Sequence, residues 1–72
     1  MRQLIDIPAG THVKIQKIYG GLGFRQRMAE MGLISGATIK VVKNDSHGPV
    51  IVNVNNTRIA LGRGMCGKIT VR

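Results

Sequence analysis

Val50-Ile51-Val52-Asn53-Val54-Asn55-Asn56-Thr57-Arg58-Ile59-Ala60-Leu61 reads as two strands joined by a two-residue turn. Val50, Val52 and Val54 alternate with Ile51 and Asn53, the period of two that turns one face of a strand onto a core. Asn tolerates positive φ, so Asn55-Asn56 suits the primed turn of a tight antiparallel hairpin. Working outward, the same period recurs. Ala37 to Lys43 sets Ile39 and Val41 against Thr38 and Lys40, and Thr11 to Ile18 sets Val13 and Ile15 against His12, Lys14 and Gln16. Lys68 to Arg72 places Ile69 and Val71 on one side, and Leu4 to Ile7 reads as a short opening strand before Pro8 and Gly10 turn the chain.

One segment breaks the period. Phe24, Met28 and Met31 fall at i, i+4 and i+7, which predicts a single short helix from about Phe24 to Met31. Gly32 supplies the left-handed residue that stops it, with Leu33 packing back on the last turn, and Gly36 marks the turn into the next strand. About five or six short strands and one helix predict an all-β fold, a small and strongly bent antiparallel barrel whose closure hides its edges. The expected turn and helix-stop residues are Gly10, Gly32, Gly36, Asn55 and Asn56. Seventy-two residues predict one domain with a thin core and no deep catalytic cleft. Apolar residues make up 43% of the chain, too many for a disordered basic tail. No apolar run is long enough to span a bilayer, and none follows Arg2 as a secretory leader would require. Cys66 is the one cysteine, which fits a reducing cytoplasm and leaves no internal disulfide.

Eleven Lys and Arg against three acidic residues give a formal charge of +8. Charge alone favours nucleic acid, but the aromatic stacking platform is missing, because Tyr19 and Phe24 are the only aromatics and Phe24 belongs to the helix stripe. The basic residues are spread over every element without a run of three, so the expectation is phosphate affinity that fades with salt, with no specific nucleic acid. Gly62-Arg63-Gly64-Met65-Cys66-Gly67-Lys68 matches seven positions of a phosphate-cradling loop, then fails at Ile69, where a hydroxyl must reach Mg²⁺. Only strand-like residues follow it, so it reads as a glycine-rich turn between strands and no cofactor is expected. Arg25 and Arg27 follow the Gly20-Gly21-Leu22-Gly23 cluster in what reads as the first helical turn, where positive charge opposes the helix dipole. They stand about 160° apart around the axis, so they read as solvated arginines rather than a convergent anion site. The possible metal ligands are His12, His47, Cys66, Asp6, Glu30 and Asp45, and no two share a zinc-type spacing. Cys66 has no His nearby in sequence and reads as packing, and three scattered carboxylates give paired acid–base chemistry little to use. Neither a metal site nor an enzyme is expected.

Arg27-Met28-Ala29-Glu30-Met31-Gly32-Leu33-Ile34-Ser35-Gly36 resembles the signature of the FeoA family of ferrous iron transport protein A domains. The resemblance continues in order through Leu4 to Gly10, Gly48-Pro49-Val50, Ile59-Ala60-Leu61-Gly62 and Lys68-Ile69-Thr70-Val71, covering nearly the whole chain. The barrel appended to iron-dependent repressors of the DtxR type is similar, but there it follows a DNA-binding domain. The resemblance implies an SH3-like barrel and a bacterial cytosolic accessory of ferrous iron uptake that contacts the cytoplasmic side of the FeoB transporter. It carries over no metal ligands. At Gly64-Met65-Cys66-Gly67 the sequence is richer in glycine than the short helical turn the family implies. Lys17, Arg25, Arg27 and Arg63 are the residues assigned to partner contact. Alternative readings are a basic barrel binding nucleic acid non-specifically and a metal-responsive regulatory module. With Ile5, Ile51 or Val71 on an exposed edge, the barrel could pair with a copy of itself as a homo-oligomer.

Overall fold

In the computed structural model, which describes residues 2–72, β1 (Arg2–Gln3) leads into a 3-10 turn over Leu4–Asp6. This replaces the expected Leu4 to Ile7 strand, for a packing reason. Strand alternation would bury Leu4 together with Asp6, whereas three residues per turn put Leu4 and Ile7 on the same side. Both are fully buried and Asp6 is exposed. The chain continues through β2 (His12–Ile18), α1 (Leu22–Glu30), β3 (Thr38–Lys43), β4 (Val50–Val54), β5 (Thr57–Leu61), α2 (Arg63–Cys66) and β6 (Ile69–Val71). The strands form one antiparallel sheet in the order β1-β6-β2-β3-β4-β5.

The β4–β5 hairpin is in the expected register, Val54 opposite Thr57, with Asn55 and Asn56 at φ of 51° and 61°. Both central residues in the left-handed region define the type I′ turn that matches the twist of the flanking strands. Strand β2 is shared. Its first residues pair with β3, while Ile15, Lys17 and Ile18 pair with β6 across a bulge at Gln16. The bulge resets the alternation, so the inward series runs Val13, Ile15, Ile18 and Lys17 stays outside. A similar shift in β3 lies between Val41 and Lys43. The inner faces meet in one cluster that includes Ile15, Met28, Leu33, Ile39, Val52, Cys66 and Ile69, with no buried polar or charged residue among those described.

Helix α1 begins two residues before the expected Phe24 and ends one before Met31. Gly21 stands at its N-cap without a side-chain cap, and the Arg25 N–H donates to the Gly21 carbonyl at 3.1 Å. Arg25 therefore lies past the first turn and Arg27 in the last turn, where its charge suits the dipole instead of opposing it. The stop is as the sequence reads. Gly32, at φ +87°, donates to Ala29 O at 2.9 Å and Leu33 to Met28 O at 2.9 Å, the paired bonds of a Schellman cap. Gly10 and Gly36 also lie at positive φ.

The glycine-rich turn before Lys68 is itself helical: α2 is the short helical turn that the family resemblance implies there, formed despite its glycines. Met65 and Cys66 N–H groups donate to Gly62 O at 3.0 and 3.2 Å, which turns Cys66 fully into the core. The helical turn precedes Lys68 and β6 follows it, so nothing there cradles a phosphate. Val71 is buried, Ile5 packs against the core and Ile51 is half-buried, so Val71 offers no exposed edge.

One polar clamp ties the ends of the fold together. Asn44, just after β3, donates through Nδ2 to Ile5 O at 2.9 Å and Ile7 O at 2.7 Å. Arg63 of α2 donates to Asn44 Oδ1 at 3.1 Å and to Asp45 O at 2.5 Å. Burial pushes the Cys66 thiol up from its ordinary range, offset in part by the Arg63 guanidinium. The neutral thiol then behaves as a small apolar side chain.

Two outcomes follow from this packing. Replacing Asn44 by Ala leaves two carbonyls and a guanidinium short of partners and is expected to destabilise by about 1–3 kcal/mol, read by urea unfolding, with N44D no better because it also lacks the amide donors. Cys66 is expected to resist alkylation at neutral pH until the chain unfolds. A raised folded pKa also means that stability is full below the unfolded thiol's pKa and falls as alkaline pH rises through the folded value, a decline that thermal melts should show to be smaller in C66S.

Candidate functional site

Where β2 passes its bulge, α1 leans beside it and leaves a groove of about 430 Å³ lined by Gln16, Lys17, Ile18, Arg25, Leu33, Ile34 and Ser35. Its walls are fixed by local bonds. Ser35 Oγ donates to Gln16 O at 2.8 Å, and the Gly36 N–H donates to Ile15 O at 2.7 Å, so the segment after α1 is stitched to the bulged stretch of β2. Leu33 is fully buried and forms part of the floor, while Ile34, next in sequence, is 51% exposed.

Three large apolar side chains are exposed among the described residues, and all belong to this region of the chain: Tyr19, Leu22 and Ile34. Tyr19 follows Ile18 directly, and Lys17 Nζ lies 4.9 Å from its ring centroid. Leu22 precedes Arg25 by three residues on α1, so the two share a helix face. Gln16 Oε1 is buried without a hydrogen-bond partner. The arrangement is an apolar groove with cationic rims, suited to an apolar side chain carried on an acidic surface.

The residues assigned to partner contact divide. Lys17 and Arg25 come together at this groove, and Arg27 does not line it. Arg63 lies apart from this groove, half-buried and engaged in the clamp with Asn44 and Asp45. Asn44 itself escaped sequence reasoning, because the groups it serves lie 37 and 39 residues away. Ile34 and Leu22 were also missed as surface residues; their signal was an apolar type next to a glycine turn with no strand partner.

Among the described residues no three His, Cys, Asp or Glu side chains come together as a metal-binding group. His12 is on the sheet's outer face, Asp45 pairs with Lys43 at 3.5 Å, and Cys66 is in the core. A second groove of about 620 Å³ runs between the end of α1 and the β4–β5 hairpin, with Glu30 and Arg58 among its lining residues. No helix among the described residues is long and apolar enough to cross a membrane.

Comparison with known proteins agrees with this architecture. A curated protein of Methanocaldococcus jannaschii, named "Putative Fe(2+) transport protein A", is 42% identical over 62 residues, covering 86% of this chain and 74% of its own. A crystal structure of an iron uptake regulatory protein, FeoA, superposes with a TM-score of 0.92 at 37% identity, covering 99% of this chain and 95% of that one. The zinc complex of Stenotrophomonas maltophilia FeoA, described as a prokaryotic SH3 domain protein, superposes with a TM-score of 0.85 at 21% identity, covering 100% and 91%. At that identity it supports the SH3-like fold alone. The FeoA domain model itself matches residues 2–72, and the chain belongs to the FeoA family.

Proposed function

We propose that this protein is a non-enzymatic accessory of ferrous iron uptake that docks on the cytoplasmic part of a FeoB-type transporter through the groove between β2 and α1. Family membership supports the transport setting. The observation that carries the docking surface is the convergence of exposed Ile34 with Lys17 and Arg25 at one groove. Burying an exposed aliphatic side chain is worth about 1.5–3 kcal/mol, enough to anchor a transient contact. The two cations at the rim then select an acidic patch and speed encounter more than they add affinity.

Chemical-shift mapping and binding titrations against the solubilised transporter, in each nucleotide state of its cytoplasmic domain, test this reading. Binding is expected to shift amides of Lys17, Arg25 and Ile34. I34D should lose at least about tenfold in affinity, or about 1.4 kcal/mol, and R25E should weaken binding well beyond R27E. Absence of binding in every nucleotide state, or equal effects of R25E and R27E, would sink the proposal.

A further inference from the structure

Cross-strand register gathers on the outer face of the sheet charges that are far apart in sequence. His12 stands opposite Lys40, Lys40 opposite Asn53, and Asn53 opposite Arg58. With about 4.8 Å between neighbouring strands, this row crosses four strands in roughly 14 Å. Two residues along β2, Lys14 exchanges backbone hydrogen bonds of 2.8 and 2.9 Å with Arg72, so a second basic row begins about 7 Å from the first. The intervening Val13, Ile39 and Val52 point into the core, and His12, Lys14, Lys40, Arg58 and Arg72 are all exposed.

Acidic side chains do little to offset this charge. Lys43 extends the face by one more row, opposite Ile51, and there Asp45 takes up its charge at 3.5 Å. Arg58 stands at the margin, where it also borders the groove containing Glu30, and the Lys43–Asp45 contact is the one ion pair among the described residues.

We infer that this outer face is a docking surface for an anionic phospholipid bilayer. Its charge and its shape both fit such a surface. Of the residues in these rows, only Arg58, at the margin, lines either of the two grooves described above. The face is made of strands, without a protruding helix for a nucleic-acid groove. Tyr19 and Phe24, the aromatics a nucleobase would stack on, are not part of these rows. A bilayer instead presents many separate phosphates in a plane, which flexible lysines and arginines meet one by one. The exposed large apolar residues Tyr19, Leu22 and Ile34 are outside the rows as well, so adsorption is electrostatic, without insertion, and reversed by salt. The inference stands apart from the transporter reading, since it uses different residues and needs no protein partner.

Vesicle co-sedimentation tests it. The full chain is expected to bind vesicles containing about one third phosphatidylglycerol at about 0.05 M salt, to release at about 0.5 M, and to ignore pure phosphatidylcholine. Each cation at the surface contributes roughly fivefold to partitioning, so K14Q/K40Q/R58Q should lose on the order of 100-fold. The control K17Q/R27Q/K68Q removes the same charge elsewhere and should lose far less. Should the first triple variant not fold, nitroxide-labelled lipid in bicelles should still broaden the wild-type amides of His12, Lys14 and Lys40 ahead of those of Arg25 and Ile34. Equal loss in both triple variants, no binding to the anionic vesicles at low salt, uniform broadening, or tighter binding to a single- or double-stranded oligonucleotide than to the vesicles would overturn it.

Discussion

Strand β2 pairs along both of its edges, and the extra residue at Gln16 is what lets one strand serve two neighbours. Up to Ile15 the inward side chains are odd-numbered; beyond Gln16 the phase changes and Ile18 faces in. Without that insertion Lys17 would point at the core and Ile18 at solvent. Burying an unpaired ammonium would cost several kcal/mol, far more than a local kink. The bulge also divides the outside of the protein. Before it, β2 contributes His12 and Lys14 to the basic outer face; after it, Gln16, Lys17 and Ile18 form one wall of the apolar groove.

Bending a short sheet leaves two ends to secure, and different forces secure them. At one end β1 is only two residues long and is held against β6, while Asn44 and Arg63 bind the carbonyls and loop beside it. Because Asn44 supplies donors where a 3-10 turn leaves carbonyls free, the polar contact does work that apolar packing cannot do. At the other end β5 is an edge strand carrying Arg58, with the end of α1 lying alongside across the second groove. A charged residue and a neighbouring helix are two of the ways a sheet edge avoids pairing with another chain.

What could be read from the sequence was what neighbours in the chain determine. The β4–β5 hairpin follows from alternation and from two asparagines that accept positive φ, and the stop at Gly32 from a cap whose bonds span only a few residues. Helix starts were harder. Gly20-Gly21-Leu22-Gly23 has little helix propensity and no side-chain cap, so the first turn of α1 forms because packing of Phe24 and Met28 supports it. The same holds for Gly64 in α2, where burying Cys66 outweighs the entropy that glycine costs. The division of Lys17, Arg25, Arg27 and Arg63 into groove, helix and clamp depends on contacts between distant segments. No spacing rule encodes those.

The basic residues illustrate this limit most directly. Spaced along the chain they look like a dilute coat, because Lys14, Lys40 and Arg58 belong to three different strands and Arg72 follows a fourth. Antiparallel register converts that separation into adjacency, since residues opposite one another lie closer than residues two apart on one strand. The core takes only one face of each strand and contains no buried charge among the described residues, so every alternate position is free to carry surface chemistry. A barrel of this size can therefore hold a cationic face and a separate apolar groove without enlarging its core. The two surfaces share β2, which rigidly relates a contact made by one to a contact made by the other. A partner held in the groove would thus meet the cationic face at a fixed orientation, set by the bulge and not by a flexible linker.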